Sequence, residues 1–397
     1  MPDAEITILS YTTEVDSLKF EKYGIKVLPG LRFSQSNHKW KIAKGITMLN
    51  PWLRRGLWAI SYRLLKRDIR WLKGNEVQIL NKYTESDVIV SCGGEVIWGN
   101  ADYILFNLLE IFPGKLINKP VIIYAHSIGS FNSKLAELIA RLFLNRADLI
   151  TLRESISEEY LQAIKVNRPP IIVTADPAFL LQPVSSQTAK ALLAEERIDL
   201  KKMSIGLNLR HWSFPETVNP QAKHKVYVKN ISKVADYIIN KLNATLVFVP
   251  EVVFPDNTEF EDDRAVAQEV FQLINNKEGF KILTKDYSPE EIKGIIGEMD
   301  LFIGTRMHSN IFALSMYVPT VAIGYRHKTK GIMEMLQMGK YVCQIDNLEF
   351  EDMVQKIEEV LANRENIQRH LKAAIPSLQK RALYNAELVK DLLQTRK

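Results

Sequence analysis

Short, almost unbroken apolar runs alternate along the chain with longer stretches in which apolar residues recur at every third or fourth position. The first pattern predicts strands buried on both faces, and the second predicts amphipathic helices packed over them. In the first half the runs are EITILSY (5–11), DVIVSCG (87–93), PVIIYAHS (120–127), DLITLR (148–153) and PIIVTADP (170–177), with helices at 132–145 and 154–164. In the second half they are MSIGLNLR (203–210), ATLVFVP (244–250), FKILT (280–284), DLFIGT (300–305), TVAIGY (320–325) and YVCQI (341–345). Helical spacing there covers 226–242, 260–275, 288–297, 307–316 and 348–375. Such alternation is the pattern of an α/β protein with parallel sheets. A length of 397 residues exceeds what one core organises, and the polar stretch PVSSQTAKALLAEERIDLKK (183–202) divides the pattern. The expectation is two Rossmann-like domains facing each other across a cleft, at 1–185 and 203–375, with a helical tail at 376–397. Ligands of open α/β sheets bind beyond the carboxyl ends of the strands.

Composition narrows the class. Hydrophobic residues at 46% and charged residues at 25% are those of a folded globular chain. The two cysteines, Cys92 and Cys343, lie in separate apolar runs without metal-ligand spacing, so a reducing cytoplasm is expected and a disulfide framework is not. The start MPDAEITILSYTTEVD lacks the basic and apolar regions of a secretory signal, and no apolar run reaches membrane-spanning length. The formal charge of +6 is local: residues 34–74 carry ten Lys/Arg against Asp68, a net +9 that leaves −3 for the remainder. A broad basic surface for nucleic acid is therefore not expected. The same segment holds Trp40, Trp52, Trp58 and Trp71. After Asn50-Pro51 it places Leu53, Leu57, Ile60 and Leu64 at helical spacing among arginines and lysines. That pattern suits either an anionic membrane surface or ordinary packing on the first domain.

Candidate chemistry gathers where strands hand over to helices. In DLFIGTRMHSN, Arg306, His308 and Ser309 stand at the start of a predicted helix, whose first N–H groups favour an anion. Arginine offers a planar fork for carboxylate or phosphate, and histidine a proton near neutral pH. Comparable junctions hold Gly93 and Gly94, His126 and Ser127, Arg153, Arg210 with His211, and Arg326 with His327 and Lys328. Each has an ordinary alternative: a tight turn, a helix cap, or an arginine paired with an acid. Together they predict a site for a small, multiply charged anion. Asp262 and Asp263 read as partners of a helix dipole. No metal site is expected from spacing, and no Walker loop or nucleophile elbow occurs.

The blocks DVIVSCGGEVIWG, YAHSIGSF, DLITLRES, ADPAFLL and IGTRMHSNIFALSMYVPTVAIGYRHKTKG together resemble the polysaccharide pyruvyl transferase family, in order from about residue 87 to 335. The resemblance implies a GT-B-like pair of domains, the first on the acceptor side and the second on the donor side. It implies transfer of the enolpyruvyl group of phosphoenolpyruvate to two hydroxyls of a sugar, giving a pyruvate ketal and phosphate, with no further cofactor. Carried over by motif, His308 and Arg153 match the proposed catalytic pair, and Arg306, with Arg210, matches donor-binding positions. Ser309 and Lys328 are expected to assist the donor. Gly93, Gly94, His126, Ser127 and Glu251 are expected at the acceptor. The acceptor sugar, free or lipid-linked, and the oligomeric state stay open. Many relatives in that family carry a Gly-Asn-x-Gly-Asp-like turn after the first strand, where this chain has SYTTEVDSLKFEKYG. Two alternatives remain: a nucleotide-sugar glycosyltransferase using Glu95 or Glu251 as base, and a non-catalytic sugar- or anion-binding member. A cytoplasmic protein, with the inner membrane face as a peripheral option, fits all three.

Overall fold

The computed structural model describes residues 4–30, 62, 75–254 and 262–395. The basic aromatic segment 34–74 lies outside them apart from Tyr62, so its expected helix and membrane role lie outside the described residues. The chain divides into two compact units, residues 1–174 with 384–397, and residues 175–383.

In unit 1, β1 (Thr7–Ser10) and β2 (Lys26–Pro29) form a parallel pair around the helix Thr13–Glu21. The start of that helix is held by Ser10 Oγ accepting from the Thr12 N–H at 2.9 Å and by Thr12 Oγ donating to Asp16 at 2.9 Å. The main sheet is parallel, ordered β3 (Ile89–Ser91), β5 (Val121–His126), β7 (Leu149–Leu152), β8 (Ile171–Val173). β4 (Ile97–Gly99) and β6 (Ile128–Phe131) pair beside it. Ile123, Ile150 and Leu152 of these strands pack with Ile104 and Leu108 of the helix Ala101–Ile111 and with Ala136, Ala140 and Leu144 of the helix Lys134–Leu144.

Unit 2 is a Rossmann sheet. Its strands are β9 (Ser204–Asn208), β10 (Thr245–Phe248), β11 (Phe280–Ile282), β12 (Leu301–Gly304), β13 (Thr320–Gly324) and β14 (Val342–Gln344). Their order, β11-β10-β9-β12-β13-β14, is all parallel. The direction of winding reverses between β9 and β12, where Gly304 pairs with Asn208. A crevice opens beyond the strand ends at such a reversal, because the following helices leave on opposite faces. Two apolar layers enclose the sheet, one around Ile205, Leu246 and Ile303, the other around Val247, Phe302 and Ile295.

The boundary between the units falls before the polar stretch 183–202. That stretch forms the helix Ser186–Glu195, whose Ala189 and Leu193 lie one helical turn apart and are buried with Ile292, Ile295 and Ile296 of unit 2. A Cβ at Gly294 would meet Val184 Cγ2 at 2.5 Å, so the chain enters unit 2 in direct contact with the helix Pro289–Gly297. The expected tail at 376 is likewise no boundary. The helix Arg364–Gln394 runs through Pro376 and adds Leu371, Ile375, Leu378 and Ala382 to the unit 2 core. Its last turns belong to unit 1, where buried Asn385 accepts from the Thr174 hydroxyl at 2.8 Å. No helix among the described residues is long and apolar enough to cross a membrane.

Candidate functional site

β12 ends in Gly304, and the helix Met307–Ser315 begins three residues later. The glycine is required sterically: a Cβ there would lie 2.6 Å from Phe302 Cε1 and collide with the Asn310 carboxamide, which donates to the Gly304 carbonyl at 3.0 Å. Thr305 and Arg306 then bridge to β9. The Thr305 N–H donates to the Asn208 carbonyl at 2.9 Å, and the Arg306 N–H donates to Asn208 Oδ1 at 2.9 Å.

The side chains at this turn do not share one environment. Arg306 turns into the protein, with its side chain 15% exposed, and pairs with fully buried Asp263, Nη2 to Oδ1 at 2.7 Å and Nε to Oδ1 at 3.1 Å. Burial works against the guanidinium charge, but the Asp263 carboxylate outweighs it and raises the Arg306 pKa. Asp263 also accepts from the N–H groups of Glu251 at 3.0 Å and Val252 at 3.1 Å, which ties β10 to the turn. Ser309 is fully buried, and both its N–H and its hydroxyl donate to Glu251 Oε2, at 2.9 and 2.6 Å. Glu251 thus occupies the positive end of the helix itself. Burial opposes its charge, yet the hydrogen bond and charge of His308, the Ser309 hydroxyl and Arg306 together pull it down to about 2.

His308 is the open member, with its side chain 46% exposed. Its ring lies between two carboxylates: Nδ1 is 3.4 Å from Glu251 Oε1, and Nε2 is 3.9 Å from Asp176 Oδ2. Asp176 is positioned as the cap of the turn Pro177–Leu180, accepting from the Ala178 N–H at 2.9 Å. Arg306 and Ser309, expected at the donor, and Glu251, expected at the acceptor, engage one another's surroundings at this turn. In this structure all three hold the turn and the His308 ring, because carboxylates from distant segments already meet their charges and donors.

Arg210 and Lys328 come together elsewhere in unit 2. Arg210 Cζ lies 4.5 Å over the Tyr325 ring and 5.3 Å from that of Trp212. Lys328 Nζ is 5.1 Å from Tyr325, and Arg326 Cζ is 6.0 Å from it. Tyr325 lies near enough to Arg306 for its ionised phenolate to raise the guanidinium pKa, so the two side chains are neighbours. Arg210 has no carboxylate partner among the described residues; its Nε donates to the His211 carbonyl at 3.3 Å.

In unit 1 the expected residues also meet, but inside the fold. Arg153, 2% exposed, donates through Nε to Ser127 Oγ at 2.8 Å and through Nη2 to the Gly94 carbonyl at 3.3 Å. Gly94 also accepts from the Ser127 N–H at 3.0 Å. A Cβ at Gly93 would stand 3.0 Å from the Ala125 carbonyl, so that glycine lets the loop lie close against β5. His126 is fully buried with Nε2 3.0 Å from Ser91 Oγ, and burial, helped by the Arg153 charge, lowers its pKa to about 4. His126 and Ser127, expected at the acceptor, are enclosed here, and the Ser127 hydroxyl accepts from Arg153. Glu154 caps the helix Ser155–Ala163, accepting from the Ser157 N–H at 3.0 Å.

Two features went unread in the sequence. Asp176 carried no sign of its partner, since His308 is remote in the chain. His211, His224 and Glu269 form a cluster of possible metal ligands from three separate elements, although no such spacing appears in the sequence. Burial, then the adjacent His224, lowers the His211 pKa.

Comparison with known proteins agrees with the fold. The neighbours below are 11–14% identical to this chain and bear on architecture alone. The UDP-GlcNAc 2-epimerase of Neisseria meningitidis bound to UDP-GlcNAc superposes with a TM-score of 0.60 at 11% identity, over 98% of this chain and 91% of that one. Anabaena Alr3699/HepE in complex with UDP-glucose gives 0.58 at 13% identity, over 98% and 91%. A putative UDP-N-acetylglucosamine 2-epimerase from Listeria monocytogenes gives 0.58 at 14% identity, over 97% and 88%. These neighbours fit a fold of two Rossmann-like units. In sequence, the amylovoran biosynthesis protein AmsJ of Erwinia amylovora is 25% identical over 322 residues, 80% of this chain and 75% of that protein. The profile of the family described as polysaccharide pyruvyl transferase matches residues 2–327. With a match that spans most of its length, the chain belongs to the polysaccharide pyruvyl transferase family.

Proposed function

We propose that the protein transfers the enolpyruvyl group of phosphoenolpyruvate to two hydroxyls of a sugar, in a polysaccharide or a lipid-linked glycan precursor, releasing phosphate and leaving a pyruvate ketal. The observation that carries this reading is His308: exposed at the topological switch point, its ring framed by Glu251 and Asp176, with the Arg210 and Lys328 cations gathered at Tyr325, a neighbour of Arg306. His308 as imidazolium gives a proton to the methylene carbon of the donor, which makes C2 electrophilic. The first sugar hydroxyl attacks C2 and returns its proton to the imidazole. Phosphate then departs, and the second hydroxyl closes the ketal, its proton leaving with phosphate. Glu251, ionised near neutral pH, orients the ring and balances its charge. Arg210, Lys328 and Arg326 meet the donor's carboxylate and phosphate, and Arg306 is a positioning residue.

The test is donor recognition followed by product analysis. Phosphoenolpyruvate should raise the thermal midpoint of the purified protein, and with the right glycan the product should gain one pyruvate less one water, with one phosphate released per ketal. Stabilisation by UDP-glucose with no response to phosphoenolpyruvate would refute the donor and favour a nucleotide-sugar glycosyltransferase.

A further inference from the structure

His211 follows β9, His224 stands on the helix Pro220–Asn240, and Glu269 on the helix Asp263–Leu273. One ligand atom from each lies within 4.8 Å of those of the other two. His224 Nε2 is 3.0 Å from Glu269 Oε2, and the two imidazole rings pack with centroids 4.4 Å apart at 42°. His224 Nδ1 is buried without a hydrogen-bond partner. Two tilted, half-buried imidazoles beside an exposed carboxylate supply the donors a metal ion needs.

We propose that His211, His224 and Glu269 bind one divalent transition-metal ion of the zinc class, at a site separate from His308. Two imidazole nitrogens and one carboxylate oxygen suit zinc, cobalt(II) or nickel, whereas calcium and magnesium prefer oxygen throughout. Zinc sits about 2.0–2.2 Å from such ligands, which puts ligand atoms about 3.4 Å apart in a tetrahedron. Binding therefore draws the present spread of up to 4.8 Å inward by about 1.4 Å. The Glu269 side chain is 46% exposed, which gives it freedom to move and gives the ion a route in from solvent. Three protein ligands leave a fourth position for water or an anion. Because His211 adjoins Arg210, an ion here fastens the Arg210 loop to two helices and adds positive charge beside the Tyr325 cluster.

The test uses the full chain without a polyhistidine tag, stripped with chelator and titrated with Co2+ and then Zn2+. One equivalent of Co2+ should bind and develop visible ligand-field absorption, Zn2+ should abolish that absorption, and the thermal midpoint of the chain should rise. His224→Ala and the milder Glu269→Gln should each lower affinity at least about tenfold, the smallest loss expected when even an outer partner of a metal site is removed. Circular dichroism of the metal-free variants should match the native chain. Absence of stoichiometric uptake, or uptake undiminished in Glu269→Gln and His224→Ala alike, would overturn the assignment. These readouts need no transferase activity, so they stand apart from the choice of donor.

Discussion

Replacing Asp263 by alanine probes the pair beneath the His308 turn. Asp263 is fully buried and answers four groups: the Arg306 guanidinium at 2.7 and 3.1 Å, the Glu251 and Val252 N–H groups at 3.0 and 3.1 Å, and Asn208 Nδ2 at 3.5 Å. Truncation leaves the guanidinium without its Asp263 counter-charge. Breaking one side of a buried ion pair costs about 3–5 kcal/mol. The stranded N–H groups would add about 1–3 kcal/mol each, but water entering the vacated volume recovers much of that, so the pair sets the scale. In a unit of this size each kcal/mol moves the thermal midpoint by about 2–4 °C, so the midpoint should fall by about 6–20 °C. Scanning calorimetry at neutral pH reads the shift directly. The control is Asp263→Leu with Arg306→Met, which removes both charges at similar volume and should recover a good part of the loss. A single variant within about 2 °C of the native chain, or a double variant less stable than the single, would refute the assignment of Arg306 as a positioning residue held by Asp263.

Four further outcomes are expected. His308→Ala should lower turnover by about two to four decades with the thermal midpoint retained, as measured by phosphate release. Arg210→Ala should raise the KM for phosphoenolpyruvate far more than it lowers kcat, since a charge that holds the donor throughout contributes to binding uniformly; a kcat loss at constant KM would contradict this. Glu251→Gln removes a carboxyl whose pKa falls from 4.5 to about 2 on folding, so the stability it supplies is present above its unfolded value and lost as pH drops toward 2. The native chain should exceed the variant by about 3 kcal/mol at neutral pH, and urea titrations should show that gap closing below about pH 4.5. Gly129→Ala should destabilise unit 1 by about 1–3 kcal/mol in the same assay, because φ is +91° there and a Cβ would lie 2.5 Å from Tyr160 Cγ.

The parallel strands of unit 2 were readable because burial on both faces leaves an unbroken apolar signature, and all six fall inside the expected runs. The short strands β4 and β6 were not, since GGEVIWG and SIGSF carry glycines and serines that read as loop. The expected helix 348–375 resolves into Phe350–Ala362 and Arg364–Gln394, and the second runs past the expected end because the apolar stripe continues on either side of Pro376, which looks like a stop. Asp262 and Asp263 divide the role expected of both. Asp262 caps its helix, accepting from the Arg264 N–H at 2.8 Å, whereas Asp263 reaches Arg306. The helix dipole was visible from adjacency alone; a partner 43 positions away was not.

The same distance explains why the cations at the strand ends read alike in the sequence. A run such as GTRMHS shows donors at a helix start and says nothing of what the fold will bring to them. Here β10 delivers Glu251 across 58 positions to the Ser309 N–H and hydroxyl, and the following helix delivers Asp263 to Arg306. An incoming dianion would have to displace both carboxylates to use those groups, at the cost of leaving two acids in a buried setting. Arg210 imposes no such exchange, since no described carboxylate pairs with it and the Tyr325 ring lies 4.5 Å beneath its fork. Under the proposed function, charge recognition would therefore fall to the Tyr325 side of the switch point, while the helix start holds one imidazole in place.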